Sequence, residues 1–472
     1  MRRAHPFTIL QNLWRVLYLT IIPVLRGFLG ALRGGFSGWL RGAWIDVLVM
    51  LLMIAIAVWR WRRVTYEPDD SGIRVRSGLI CYKDNHIPWN RVVTVSLNFP
   101  LLLKPFHAVR LRADTLGGSF KDADFTMLLS PAAAEAVISG QRETLHSREK
   151  RQYAPSTRSI LALSLLTSNS FAGIVFISTF ISQSGRLLGR EFSDMLIGTM
   201  EEVTRFLAFG IPPAAAMIAY ALLTGWLIAF LNTFVRYKNM LVERREHTLA
   251  ISGGLLTQRE YLIQAQDINF LDIRQSISTK LLNLRSLYIS AVGYGKQKDD
   301  ISCVIPTEQD KVFTKHQSAL FPGFSPTPRQ LAPTNSVVFR FIGFSLFLCG
   351  AILLAVALLI WRFPGWRSFI LFVGLMLMVP AVILLIVRFL DFRSGGVSFD
   401  GELYTLRYSS GLYIHTVVVP ANKIVMVQLR QSLLQKRGKT CDLLINTVAE
   451  GRFLHKCCGL KLEPLRDMFK LD

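Results

Sequence analysis

The residues best placed to do chemistry in this chain are two pairs of arginines. Arg74 and Arg76 flank Val75, and Arg110 and Arg112 flank Leu111. In an extended chain, side chains two residues apart share one sheet face. Two guanidinium pairs on one small domain could hold a phosphate by charge-assisted hydrogen bonds, which makes Arg74, Arg76, Arg110 and Arg112 a candidate lipid-headgroup site. The bland reading is a solvated basic sheet face beside a membrane, and two later segments of similar pattern lack the arrangement. No other grouping suggests catalysis. The histidines (His5, His86, His107, His146, His247, His316, His415 and His455) are dispersed, with no HExxH, and there is no GxxxxGK[ST] and no GxSxG. The six cysteines form no CxxC pair, have no metal-ligand spacing and are expected as free thiols. The expectation is a protein that is not an enzyme, with no catalytic residue, no cofactor and no metal.

The elements that must carry these arginines are set by an unusual composition. Of 472 residues, 51% are hydrophobic, and they cluster into runs. Runs of 18 or more can cross a hydrocarbon core of roughly 30 Å as helix. Six candidate spans follow, near 10–31, 43–60, 159–182, 206–232, 337–361 and 368–390, the first interrupted by Arg15 and Arg26. Between them lie basic segments: 15 Lys and Arg in 60–156, 13 in 236–333 and 12 in 392–472. The positive-inside rule places both termini and all three segments in the cytoplasm of a multi-pass inner-membrane protein. The formal net charge of +22 is spread over these segments and concentrated in no single helix or tail, so anionic lipid accounts for it and nucleic acid is not expected as a partner. Residues 183–204 recur near helical spacing, with Leu187, Leu188, Phe192, Met195 and Leu196 opposed by Arg190, Glu191 and Asp194. They read as an interfacial helix on the outer surface.

The three basic segments repeat one pattern. Each opens with a strand ending in a Gly-Leu turn, at Gly78, Gly254 and Gly411, where glycine supplies the positive φ of a hairpin. A short block then closes on a β-branched residue: Pro88-Trp89-Asn90-Arg91-Val92, Gln264-Ala265-Gln266-Asp267-Ile268 and Pro420-Ala421-Asn422-Lys423-Ile424. Alternating strands and leucine-rich connections come next. Helical signals end each copy at 131–145, 307–320 and 462–471. The module is roughly seven strands capped by a helix.

This order of strand, Gly-Leu hairpin, polar block and leucine-rich connection resembles the bacterial pleckstrin-homology (PH) domain. Three such units alternating with apolar pairs, behind a basic His5-Pro6 leader, are similar to the YdbT-like multipass membrane proteins. The resemblance implies a membrane α-helical protein of about six spans with three small β-rich PH-like domains, each a strongly bent sheet or barrel capped by a C-terminal helix. The divisions are 1–63, first transmembrane pair; 64–150, first domain; 157–235, second pair with the interfacial helix; 236–325, second domain; 335–391, third pair; and 392–472, third domain. It further implies a non-catalytic role connected with envelope stress or resistance to membrane-active peptides. The expected partners are the bilayer and either another protein or a second copy bound through the PH-like domains. The leading functional expectation is a binding scaffold. The rival is a transporter or lipid-handling protein with a path along the polar third span, around Asn169 and Ser170, and the fourth span broken by Pro212-Pro213.

Overall fold

Each repeat is a pair of small antiparallel sheets around a core, and each begins before the apolar helices that interrupt it. The computed structural model describes residues 2–14, 44–69, 71–78, 81–117, 123–143, 151–167, 213–295, 300–448 and 453–470. Strand β1 (Arg2–Arg3) is followed by α1 (Thr8–Trp14) and α2 (Trp44–Arg63), yet it pairs with β2 (Thr65–Asp69), Arg2 opposite Tyr66. Strands β3 (Gly72–Ser77) and β4 (Lys83–Pro88) complete a four-stranded sheet. A 3-10 turn at Trp89–Arg91 leads to β5 (Val92–Phe99), β6 (Val109–Thr115) and β7 (Phe125–Leu129). Helix α3 (Pro131–Glu143) adds Ala134, Val137 and Ile138 to the core formed by Ile73, Val75, Val95, Leu97, Val109 and Leu111.

The second unit repeats this plan. Strand β8 (Arg151–Tyr153) precedes α4 (Thr157–Thr167) and α5 (Pro213–Tyr237), and pairs with β9 (Leu241–Arg244). Then come β10 (Thr248–Gly253), β11 (Gln258–Gln264), β12 (Ile268–Gln275), α6 (Ile277–Leu281), β13 (Leu284–Ala291), β14 (Cys303–Gln309) and α7 (Asp310–Leu320). The expected helix start at Thr307 is displaced, because Thr307 and Glu308 are buried in β14. In the third unit the leading strand shrinks to a single bridge, Leu331 to Val397. Helices α8 (Val338–Arg362) and α9 (Arg367–Ser394) follow, then β15 (Gly396–Phe399), β16 (Leu403–Ser410), β17 (Tyr413–Pro420), β18 (Ile424–Arg430), α10 (Leu433–Arg437), β19 (Thr440–Thr447), β20 (Phe453–Lys461) and α11 (Leu462–Phe469). The turn glycines Gly78, Gly254 and Gly411 have φ of +132°, +108° and +60°. A Cβ on Gly254 would lie 2.1 Å from the Thr257 carbonyl oxygen, so both space and backbone angle demand glycine there.

The expectation of a helical membrane protein of about six spans is corrected here. Among the described residues, two helices are long and apolar enough to cross a bilayer, Asn335–Arg362 and Val373–Ser394. The rest of the described chain is rich in sheet. Hydropathy counts apolar residues without distinguishing lipid from a protein core as their destination. Ile160 and Leu163, counted within 159–182, are buried in the second unit's core, and α4 ends at Thr167. Most of 10–31, residues 168–182, the helix expected at 183–204 and the proposed path at Asn169, Ser170 and Pro212 lie outside the described residues. On the two long helices, apolar side chains such as Phe339, Phe347 and Leu375 are exposed. Gly374 lets α9 approach α8, since a Cβ there would lie 2.5 Å from Val356.

The three units are joined strand to strand. The second sheet of unit one runs on into the first sheet of unit two through β5 and β11, making seven strands in the order β7-β6-β5-β11-β10-β9-β8. Likewise β12 pairs with β17 to make six strands in the order β14-β13-β12-β17-β16-β15. The junctions share one register. Val95 faces Leu262 and Leu97 faces Glu260 at the first; the equivalent Leu271 faces Val418 and Ile273 faces Thr416 at the second.

Candidate functional site

Strand β3 alternates Ile73 and Val75 into the core with Arg74 and Arg76 outward. The hairpin register places Arg76 opposite Asp84 on β4. Asp84 accepts from Arg74 Nε at 3.0 Å and from Arg76 Nε at 3.1 Å. The hydrogen bond from Arg74 leads in holding the Asp84 carboxyl below its ordinary range. The cluster is exposed, and Glu67 stands opposite Arg74 on β2, so two carboxylates balance the two guanidiniums. A phosphate arriving there competes with a carboxylate already in place.

Arg110 and Arg112 lie on β6, in the other sheet. They stand opposite Asn98 and Ser96 of β5, both buried, while Val109, Leu111 and Ala113 enter the core. In the same outward row, Thr94 Oγ1 donates to the Val292 carbonyl of unit two at 2.5 Å. This face is turned to the neighbouring unit. The two arginine pairs therefore occupy different sheets, each on the side away from their shared core. Near the apolar helices, Trp61 Nε1 donates to the Ala4 carbonyl at 2.8 Å, and Arg63 lies 5.3 Å from the centre of the Tyr82 ring.

A cluster of buried charged and titratable groups lies at the second junction. Asp272 on β12, 2% exposed, accepts from His415 Nδ1 on β17 at 3.0 Å and from Arg274 Nε at 2.6 Å. Burial opposes its charge, but the His415 hydrogen bond and the Arg274 charge outweigh that and bring its pKa below the ordinary value. Arg274 also lies over the Tyr288 ring at 4.1 Å. Beside it, His455 Nδ1 and the Tyr408 hydroxyl are 2.8 Å apart, and Phe270 meets the His455 ring edge to face. Burial pushes His455 down to about 4. A second hub is Asp442, which accepts from Arg340 Nη2 at 2.5 Å, Gln435 Nε2 at 2.8 Å and the Gly459 amide at 3.2 Å, tying the start of α8 to unit three. Among the described residues, no three His, Cys, Asp or Glu side chains converge as a metal site.

Neither Asp84 nor the Asp272 and His415 pair stands out as a motif. Asp84 is recoverable by counting across the Gly78 turn from Arg76. His415 and Asp272 are 143 positions apart, and no local pattern links them.

Two bent sheets closed by a C-terminal helix, repeated along a chain, define a bacterial PH-domain protein. The model of the family described as Bacterial PH domain matches residues 18–143 and 198–316, and the chain belongs to that family. It is also similar to a protein described as UPF0699 transmembrane protein YdbT from Bacillus subtilis (strain 168), with 22% identity over 471 residues, covering 93% of this chain and 91% of that one. No solved structure matches. The third unit lies beyond the family match, yet it repeats the β12–β13 register at β18–β19, including the bulge after the first residue.

Proposed function

We propose that the chain is a non-enzymatic scaffold of the bacterial inner membrane whose three PH-like units bind protein on the cytoplasmic side. The observation that carries this reading is the strand pairing across both junctions, which holds three domains in fixed relation and presents them as one surface. The membrane assignment draws on the two long apolar helices and on the transmembrane description of the Bacillus relative. Same-sided placement of the strands flanking the two long apolar helices is supported by the bridge that clasps them, Leu331 to Val397. A segment that leaves and rejoins one sheet starts and ends on one side of the bilayer, and the excess of Lys and Arg marks that side as cytoplasmic.

Protein binding is favoured over headgroup binding because Asp84 already occupies Arg74 and Arg76, and Arg110 and Arg112 face the first junction. Crosslinking in intact membranes followed by mass spectrometry tests this. Specific protein adducts on the PH-like units are expected, whereas adducts to lipid alone would reverse the preference. A role in envelope stress belongs to the same proposal: deletion is expected to sensitise cells to membrane-active peptides.

A further inference from the structure

Every junction in this chain joins a β5-type strand of one unit to a β4-type strand of the next, and one strand of each type is left over. Strand β4 of unit one and β18 of unit three are, among the described residues, outer strands of their sheets. They are the counterparts of the joined strands. Pro88, Gln264 and Pro420 each end a β4-type strand before a 3-10 turn, and Val92, Ile268 and Ile424 each begin a β5-type strand with a bulge at the same place.

We infer that β18 of one copy pairs antiparallel with β4 of a second copy, continuing head to tail the junction that the chain makes twice within itself. This rests on the scaffold reading and names a partner for it: another molecule of the same chain. The common register sets Met426 opposite Ile87, Val427 opposite His86, Gln428 opposite Asn85, Leu429 opposite Asp84 and Arg430 opposite Lys83.

Burial points the same way. At the joined edges, Val93 and Thr94 are 1% and 0% exposed, and Asn269 and Phe270 are 0% and 2%. Their counterparts Val425 and Met426 are 67% and 47% exposed. Phe270 is instructive because it leaves its own unit and enters the core of unit three, while Val418 enters the core of unit two. Met426 holds the Phe270 position and is left exposed. On the other edge, Lys83, Asp84, Asn85 and His86 are exposed. Pro88 does not bar pairing, since Pro420 closes β17, which is paired on both sides. One matched pair, Arg430 with Lys83, is of like charge and tempers the contact. Such an edge contact is heterologous, so copies close into a ring if the rotation allows. Confinement to one membrane raises their effective concentration.

The test uses the full chain in native membranes, with Cys81 replaced by Ser because it is exposed beside β4. Two differently tagged copies are co-expressed, one carrying Val427→Cys and the other His86→Cys. Opposed residues in an antiparallel pair lie about 4.5–5.5 Å apart at Cα, within disulfide range. Oxidation is expected to give a species of twice the mass bearing both tags, while Gln428→Cys with His86→Cys, one residue out of register and on opposite faces, gives none. Independently, the unmodified chain in nanodiscs is expected to contain two or more copies. Arg430→Glu, facing Lys83, is expected to tighten association by roughly two- to five-fold, and adding Lys83→Glu to cancel the gain. A single copy per nanodisc, or linkage indifferent to register, overturns the inference. A monomer that still captures a different protein overturns it while leaving the scaffold reading standing; a chain that captures neither defeats both.

Discussion

The two junctions have one backbone register and are crossed by different side-chain contacts. At the first, beside the charged Arg110, Arg112 and Glu260, two neutral hydrogen bonds cross the seam: Thr94 donates to the Val292 carbonyl, and Gln264 Nε2 donates to the Val92 carbonyl at 2.9 Å. At the second, a buried carboxylate, Asp272, is shared by Arg274 and His415. Register is therefore not a product of side-chain recognition. It follows from the bulge and the alternation that all three units have in common, because a one-residue slip would turn the core-facing set outward. Side chains then decide how fragile each junction is. A neutral hydrogen bond contributes little net and tolerates loss, whereas a buried charge depends on its partners.

The largest expected effect is at the second junction. Asp272→Ala leaves two basic groups facing a buried void, and breaking such a pair costs about 3–5 kcal/mol; the partial exposure of Arg274 argues for the low end. Thermal unfolding of the purified chain, with proteolysis of unit three as a local readout, measures it. A loss below about 1 kcal/mol would mean that the two junctions are energetically alike after all.

Acid offers the next contrast. The His455 pKa falls from 6.5 to about 4 on folding. The unfolded chain therefore takes up the proton first, and stability from this residue, fully present above about pH 6.5, declines as pH falls towards 4. At about 1.4 kcal/mol per unit of pKa, the loss approaches roughly 3 kcal/mol. Asp272, whose pKa is lowered from 3.8, loses its contribution only at still lower pH. Denaturant titrations between pH 7 and 4 are expected to show that slope in the parent chain and to lose most of it in His455→Gln. An unchanged slope would assign acid sensitivity elsewhere.

The smallest effect is expected at the neutral hydrogen bond across the first junction. Thr94→Val keeps shape and removes the donor to Val292, at about 1 kcal/mol, read as a modest shift in the same unfolding transition. If it equals Asp272→Ala, a buried carboxylate is no costlier to lose here than a neutral hydrogen bond.

Much of each unit was legible because its determinants are local. Gly78, Gly254 and Gly411 mark backbone that turns through positive φ, and period-2 alternation in 93–97, 270–274 and 425–430 marks strands with one core face, which run 92–99, 268–275 and 424–430 in the structure. The helices Pro131–Glu143 and Leu462–Phe469 fall where their start signals stand. Apolar runs were less informative, since Ile160 and Leu163 satisfy a hydropathy window while packing in a protein core. The arginine pairs were visible as residues but not as an environment. Whether Arg74 meets a phosphate or Asp84, and whether Arg110 faces water or a second domain, depends on what packs alongside.

The sequence by itself determined the repeat: the strands, their turns, and which side chains of each strand face a core. Tertiary structure alone decided which edges meet. It paired β1 with β2 across the first apolar segment, joined β5 to β11 and β12 to β17, and left β4 and β18 as outer strands among the described residues. The physical reason is that strand pairing is made by backbone N–H and C=O groups that nearly every residue carries, so an edge has no signature of its own until the fold sets another edge beside it.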